Sequence, residues 1–124
     1  MSIDLVVFDK QEQVQKVEAM LLEGETLIAV YDCIGAGTGF VGVTDLRIIL
    51  QDNSFVGKKI ALTSLPYSKV TSVSFVQDRS MFGKFASSSS VAITVGSHSH
   101  EADFRGEDKA RYVHDLVLRR LLDR

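Results

Sequence analysis

The stretch Thr26–Gln51, TLIAVYDCIGAGTGFVGVTDLRIILQ, decides the fold. Its runs of β-branched, aromatic and aliphatic residues, broken by Gly and Asp, are typical of strands joined by short turns. They predict three strands at 26–34, 38–44 and 46–51, the first two joined by Gly35-Ala36-Gly37. No helical segment separates these strands, which excludes a βαβ arrangement.

The same pattern continues after this stretch. It predicts four more strands, at 58–65, 70–76, 91–95 and 101–104. Pro66 ends the first of them, because proline cannot donate a hydrogen bond to a sheet. The connections are mostly short enough for hairpins, so the seven strands are expected to pair antiparallel.

Helical patterns flank the strands. At 9–22, Val14, Val17 and Leu21 share one face, with Asp9 as the predicted N-cap and Glu12 completing a capping box. At 107–123 a longer apolar stripe predicts a second amphipathic helix. We therefore expect one domain: an N-terminal helical extension (1–23), seven strands (24–105) that form two packed sheets or a barrel, and a helix (106–124) that covers one open end.

Composition narrows the class of function. A chain of 124 residues is the size of one domain, and a net charge of -2 with a pI near 5.9 argues against DNA or RNA binding. Cys33 is the only cysteine, which suits a reducing compartment and predicts a small buried side chain. Without a secretory signal or an apolar run of membrane-spanning length, the sequence predicts a cytoplasmic protein.

Three segments together resemble a known family: Thr44-Asp45-Leu46-Arg47, Ser64-Leu65-Pro66-Tyr67-Ser68-Lys69-Val70 and the C-terminal helix. The chain resembles the bacterial pleckstrin-homology-like (PH-like) domain family from about Leu22 to Leu122. The resemblance implies a PH-like barrel of two near-orthogonal antiparallel sheets, seven strands in all, capped by a C-terminal helix. It also implies a non-catalytic binding and assembly module, with ring-like homo-oligomers.

The chain departs from PH domains that bind phosphoinositides. Those domains carry Lys and Arg on the first two strands and the loop between them, whereas no Lys or Arg occurs between Leu27 and Val43. Asp32 adds a negative charge there. Phosphate recognition at this loop would lack charge-assisted donors, so phosphoinositide binding in that manner is not expected.

The candidate contact residues fall in two segments of the sequence. In the loop 77–90, Met81, Phe82 and Phe85 stand beside Arg79 and Lys84, either as an exposed contact patch or folded back as extra core. The basic pair Lys58 and Lys59, with Lys69, forms a small positive spot or protects a strand edge. Membrane lipids are possible partners of these residues but are not favoured.

Two motifs resemble parts of a nucleotide site and of a metal site, but the surrounding sequence does not support either site. Gly37–Gly42 matches the dinucleotide pattern but leads into a strand, which favours a glycine-rich hairpin or bulge. His98 and His100 would share a strand face and could begin a metal site, although a solvated hairpin at 96–100 is favoured. No catalytic residue, metal or cofactor is predicted.

The leading prediction is therefore a non-catalytic, self-associating module that acts through protein contacts. A peripheral membrane module that binds anionic lipid headgroups is the alternative. A metal-dependent enzyme that uses His98 and His100 is a second alternative.

Overall fold

The computed structural model describes residues 6–35, 37–53, 59–77 and 88–123. Two helices, eight strands and one 3-10 turn occur within them. In chain order they are β1 (Val7–Phe8), α1 (Gln11–Glu18), β2 (Leu27–Asp32), β3 (Thr38–Thr44), β4 (Arg47–Asp52), β5 (Ala61–Pro66), the 3-10 turn (Tyr67–Lys69), β6 (Ser72–Gln77), β7 (Ser88–Val95), β8 (His98–Arg105) and α2 (Lys109–Leu122).

The strands form two sheets. Sheet A has the order β1-β2-β3-β4-β5 and sheet B the order β6-β7-β8. All pairs are antiparallel except β1 with β2, which are parallel. The predicted class, mainly β with two sheets and a C-terminal helix, is confirmed.

The main core lies between the two sheets and is closed by α2. Buried apolar side chains from β2, β3 and β4 meet those of β7 and β8, and Phe104 contacts the ring of Tyr31 edge to face at 5.9 Å. Ala110, Val113 and Val117 of α2 complete this core. The apolar stripe predicted at 107–123 is therefore the buried face of a helix at 109–122.

A second core lies on the outer face of sheet A, beneath α1. Val14 and Val17 of α1 pack on Val30, Phe40 and Ile49. The helix approaches closely because β3 has a glycine below it: a Cβ at position 42 would lie 3.2 Å from a methyl carbon of Val17. The apolar face predicted for the N-terminal helix is thus buried against the chain's own sheet.

Two details of the N-terminal region differ from the sequence prediction. The structure adds an eighth strand, β1, which is too short to show a pattern in sequence, so the count of seven strands and the purely antiparallel sheets were wrong. The predicted capping box is also absent. The N-cap is Lys10, with no side-chain cap bond, because the Asp9 carboxylate accepts from the Asp32 N–H and from Lys109 instead.

The β7–β8 hairpin is tighter than predicted. Its turn is Gly96-Ser97, where Gly96 has a φ of +63° that favours glycine, and β8 begins at His98 rather than at residue 101. The predicted solvated hairpin at 96–100 is therefore confirmed, with residues 96–99 exposed, but its loop is only the two-residue turn. His98 and His100 lie on the strand itself.

Within the described residues, no helix is long and apolar enough to cross a membrane.

Candidate binding surfaces

Two of the three segments that carry the family resemblance, Thr44–Arg47 and Ser64–Val70, meet at one buried ion pair. Nε and Nη2 of Arg47 donate to the two carboxylate oxygens of Glu25 at 2.8 and 2.9 Å. The Glu25 side chain is fully buried, and that of Arg47 is 14% exposed. The Thr44 hydroxyl also donates to Glu25, at 2.7 Å, so the β3–β4 turn is tied to the connection between α1 and β2.

Arg47 extends this ion pair to neighbouring elements. Its guanidinium also donates to Ser64 Oγ of β5 and to the Met20 carbonyl after α1, both at 2.8 Å. The Tyr67 hydroxyl donates to the Thr44 carbonyl at 2.6 Å. The Arg47 hydrogen bonds lower the pKa of Glu25 from 4.5 to about 2, against the opposing effect of burial. We call Glu25, Thr44, Arg47, Ser64 and Tyr67 the motif network; its role is to hold the scaffold.

An apolar patch lies on β5, an outer strand of sheet A. Leu62 pairs with Gln51 and Ser64 pairs with Ile49, whose side chain belongs to the core beneath α1. Leu62 therefore lies on the same face as that core, because side chains alternate between faces. Since α1 packs over β2 and β3, Leu62 stays 40% exposed, beside Ile60 at 53%. We call Ile60 and Leu62 the β5 patch.

A polar cavity of about 170 Å³ lies between the two sheets. Its walls include Thr38, Asp52, Thr63, His98, His100 and Glu101. The predicted shared face of His98 and His100 is confirmed, since their rings stand edge to face at 4.5 Å. Burial, and then the neighbouring His98, lowers the pKa of His100, while Asp52 acts in the opposite direction.

This cavity does not gather a metal centre. Among residues 6–35, 37–53, 59–77 and 88–123, no three or more His, Cys, Asp or Glu side chains are arranged to hold an ion. The histidine pair thus has no third ligand in the part of the chain that the structure describes, and a structural zinc site needs four ligands.

Comparisons with known proteins agree with the two-sheet fold and its C-terminal helix. The family model described as Bacterial PH domain matches residues 3–118. The chain belongs to the bacterial PH domain family. A solved pleckstrin homology domain from Shewanella amazonensis SB2B superposes with a TM-score of 0.65 at 19% identity, covering 92% of this chain and 99% of that one.

A second solved structure shares the fold of this bacterial PH domain. The hSac2 domain of the human phosphoinositide phosphatase Sac2 superposes with a TM-score of 0.57 at 10% identity, covering 93% of this chain and 85% of that one. Likenesses this distant in sequence establish the fold alone. No curated protein sequence matches the chain.

Most of the predicted contact residues of this bacterial PH domain lie outside the described residues. They are Arg79, Met81, Phe82, Lys84, Phe85 and Lys58. Lys59 is described and exposed, directly before the β5 patch. Lys69 follows the other end of β5, so the structure does not bring Lys59 and Lys69 into one positive spot.

The glycine-rich segment of the bacterial PH domain leads into a strand with an irregular register, in line with the glycine-rich hairpin or bulge that the sequence favoured. Gly39 and Gly42 belong to β3, and the β3–β4 register shifts between Thr38 and Val41, which marks a bulge or similar irregularity. The helix whose N-terminus would receive a pyrophosphate does not follow.

Cys33 of the bacterial PH domain gives a chemical prediction. The thiol is buried in the main core, as expected, and burial together with nearby carboxylates raises its pKa to about 12. Because thiolates are the reactive form, the folded protein should react at least a hundredfold more slowly with a thiol-specific disulfide reagent at pH 8 than the chain in guanidinium. Stopped-flow absorbance measures both rates. Equal rates would show that Cys33 is accessible to the reagent and would contradict its burial in the main core.

Proposed function

We propose that this bacterial PH domain is a non-catalytic module that binds proteins, including a second copy of itself, through the edge of β5. The observation that carries the proposal is the coincidence of an unpaired strand edge with the β5 patch. Within the described residues, β5 pairs with β4 alone. Its outer N–H and C=O groups therefore offer a row of donors and acceptors to another chain.

The β5 patch adds exposed apolar surface to this strand edge. Ile60 and Leu62 expose two large aliphatic side chains next to it, and burying both on association would remove them from water. The polar groups around Arg47 support the non-catalytic part of the proposal, because each of them forms hydrogen bonds within the scaffold rather than facing a substrate. Strand pairing beside an apolar patch is a recurrent mode of protein recognition.

The compartment is part of the proposal. A single buried thiol suits a reducing environment. We therefore place the action of the module in the cytoplasm.

Changing Leu62 to Lys tests the proposal. The wild type should form a dimer or larger ring at micromolar concentration. Leu62→Lys should raise the dissociation constant of this oligomer at least tenfold, because the substitution puts a charge where the interface would bury an aliphatic group. The measurement is light scattering coupled to gel filtration. Leu22→Lys is the matched control, since Leu22 is 61% exposed in the connection after α1.

Two outcomes would overturn the self-association. A wild type that stays monomeric at 100 µM would contradict it. Salt-sensitive sedimentation of that monomer with phosphatidylserine vesicles, lost on Lys59→Glu, would favour the lipid-binding alternative instead.

A further inference from the structure

The inner face of β8 ends in two histidines. Phe104 and Ala102 are buried in the main core, and His100 and His98 continue the same face, because side chains alternate along a strand. His100 is half-buried and His98 is exposed. The apolar packing between the two sheets therefore gives way to two imidazole rings at this end of the core.

The polar cavity separates these rings from sheet A. Its volume of about 170 Å³ has room for several water molecules, and Asp52 of β4 and Thr63 of β5 belong to its lining. Within the described residues, β8 does not pair with β4 or β5. The hydrogen bond that joins the sheets at this cavity runs from β3, where the Thr38 hydroxyl donates to the Glu101 carbonyl at 2.9 Å. The contact between β8 and β5 is thus held by side chains and not by backbone pairing.

Few charges are present to balance two protonated imidazoles. Among the described residues that line the cavity, Asp52 on β4 and Glu101 on β8 itself carry charge, whereas β3 and β5 contribute Thr38 and Thr63. The two β7 residues that pair with the histidines are apolar. The histidine rings stand 4.5 Å apart, so two imidazolium cations at this place would repel each other strongly.

The protonation equilibrium of His100 agrees with this geometry. Burial, and then His98, lowers the pKa of His100 from its usual value of 6.5, against the opposing effect of Asp52. The folded chain therefore binds a proton at His100 less readily than the unfolded chain does. The resulting stability is fully present above pH 6.5 and is lost as the pH falls through 6.5 towards the lower value of the folded state.

We propose that His98 and His100 form a pH-sensitive switch between the two sheets: protonation of the pair draws water into the cavity and loosens the first residues of β8 from β4 and β5. Because Thr63 of the cavity lining belongs to β5, the same loosening reaches the strand that carries the β5 patch. A fall in pH below 6.5 therefore weakens association at β5. This regulation rests on the proposed function, whereas the loosening of the sheets does not.

Proton NMR of the imidazole groups in the full chain tests the coupling of the pair. His100 should titrate below pH 6.5, His98→Gln should move its midpoint upwards, and Asp52→Asn should move it further down. His114→Gln, which removes the third histidine of the chain, is the matched control and should leave the midpoint unchanged. A His100 midpoint at or above 6.5, or one that does not respond to His98→Gln, would overturn the proposal.

Hydrogen exchange of Leu62→Lys at pH 7.5 and 5.5 locates the loosening without a contribution from association at β5. The same chain with His98→Gln and His100→Gln is the reference, since both chains share the intrinsic pH dependence of amide exchange. At pH 5.5 the amides of residues 98–101 and 61–63 should exchange at least fivefold faster than in the reference, and at pH 7.5 the rates should agree. Equal rates at pH 5.5, or an acceleration spread over all strands, would overturn the switch.

Light scattering coupled to gel filtration at the two pH values tests the regulation. The dissociation constant of the wild-type oligomer should rise at least tenfold from pH 7.5 to pH 5.5, and less than twofold when both histidines are replaced by Gln. An oligomer with the same dissociation constant at both pH values would overturn the regulation. A chain that is monomeric at both would overturn the proposed function at β5 and the regulation with it, and the exchange result would still decide whether the switch exists.

Discussion

Replacing Glu25 with Gln should lower the free energy of unfolding by about 3 to 5 kcal/mol, because the substitution leaves the largely buried Arg47 cation without its counter-ion. The carboxylate accepts two bonds from Arg47, one from Thr44 and one from the Leu22 N–H at 2.9 Å. An amide of the same size cannot accept all of these. Chemical denaturation measures the loss, and the melting temperature should fall by about 10 °C or more.

Glu23→Gln is the matched control, since Glu23 is exposed two residues earlier. It should change stability by less than about 0.5 kcal/mol. Equal effects of the two substitutions would mean that the motif network contributes nothing specific.

The effect of Glu25→Gln should also depend on pH. The pKa of Glu25 is lower in the folded state, about 2, than its usual value of 4.5, so the carboxylate stabilises the fold fully above 4.5 and progressively less as the pH falls towards 2. The stability difference between wild type and variant should therefore be constant from pH 6 to 8 and shrink between pH 5 and pH 2. A difference that does not change over that interval would contradict the ion pair.

Replacing Phe40 with Ala should cost about 3 to 5 kcal/mol, the range for removing a buried aromatic side chain. Phe40 is fully buried between sheet A and α1, among Val14, Val17 and Ile49. The cavity lies directly beneath α1, so hydrogen exchange should also speed up in residues 11–18. Urea denaturation gives the magnitude and exchange gives the location.

The control is Phe8→Ala, because Phe8 is 46% exposed on β1. It should cost less than half as much. If Phe40→Ala were nearly neutral, α1 would not be packed on its own sheet as the structure shows.

Much of this architecture follows from local sequence pattern. Alternating β-branched residues, as at Val91 and Ile93, mark strands in any sequence because one face of each is buried. The apolar stripe of α2 needed only helical spacing. Strand β1 was missed because two residues have no periodicity, and its partner β2 lies about twenty residues further along the chain.

The errors at the N-terminus have a tertiary origin. Asp9 has the residue type and spacing of a helix cap, yet its carboxylate is bound by Lys109, one hundred residues away. Local sequence carries no information about that contact. Lys109, at the start of α2, therefore binds the carboxylate that would otherwise cap α1.

The motif network could not be predicted from local sequence either. Glu25 stands beside Gly24 and Glu23 in a segment that reads as a solvated turn, so its burial is not visible in sequence. The resemblance drew attention to Thr44–Arg47 and Ser64–Val70 without showing that both meet at this carboxylate. The one available signal was Arg47 directly before the apolar run Ile48–Leu50, since a buried guanidinium needs an anion nearby.

Hydrogen exchange of the wild type at 1 µM and at 200 µM tests the central claim, that the edge of β5 is a protein-binding surface, most directly. If the chain associates there, the amides of Ala61–Leu65 that face away from β4 should exchange at least tenfold more slowly at the higher concentration, and Leu62→Lys should abolish the difference. Exchange of these amides that is identical at both concentrations would contradict it.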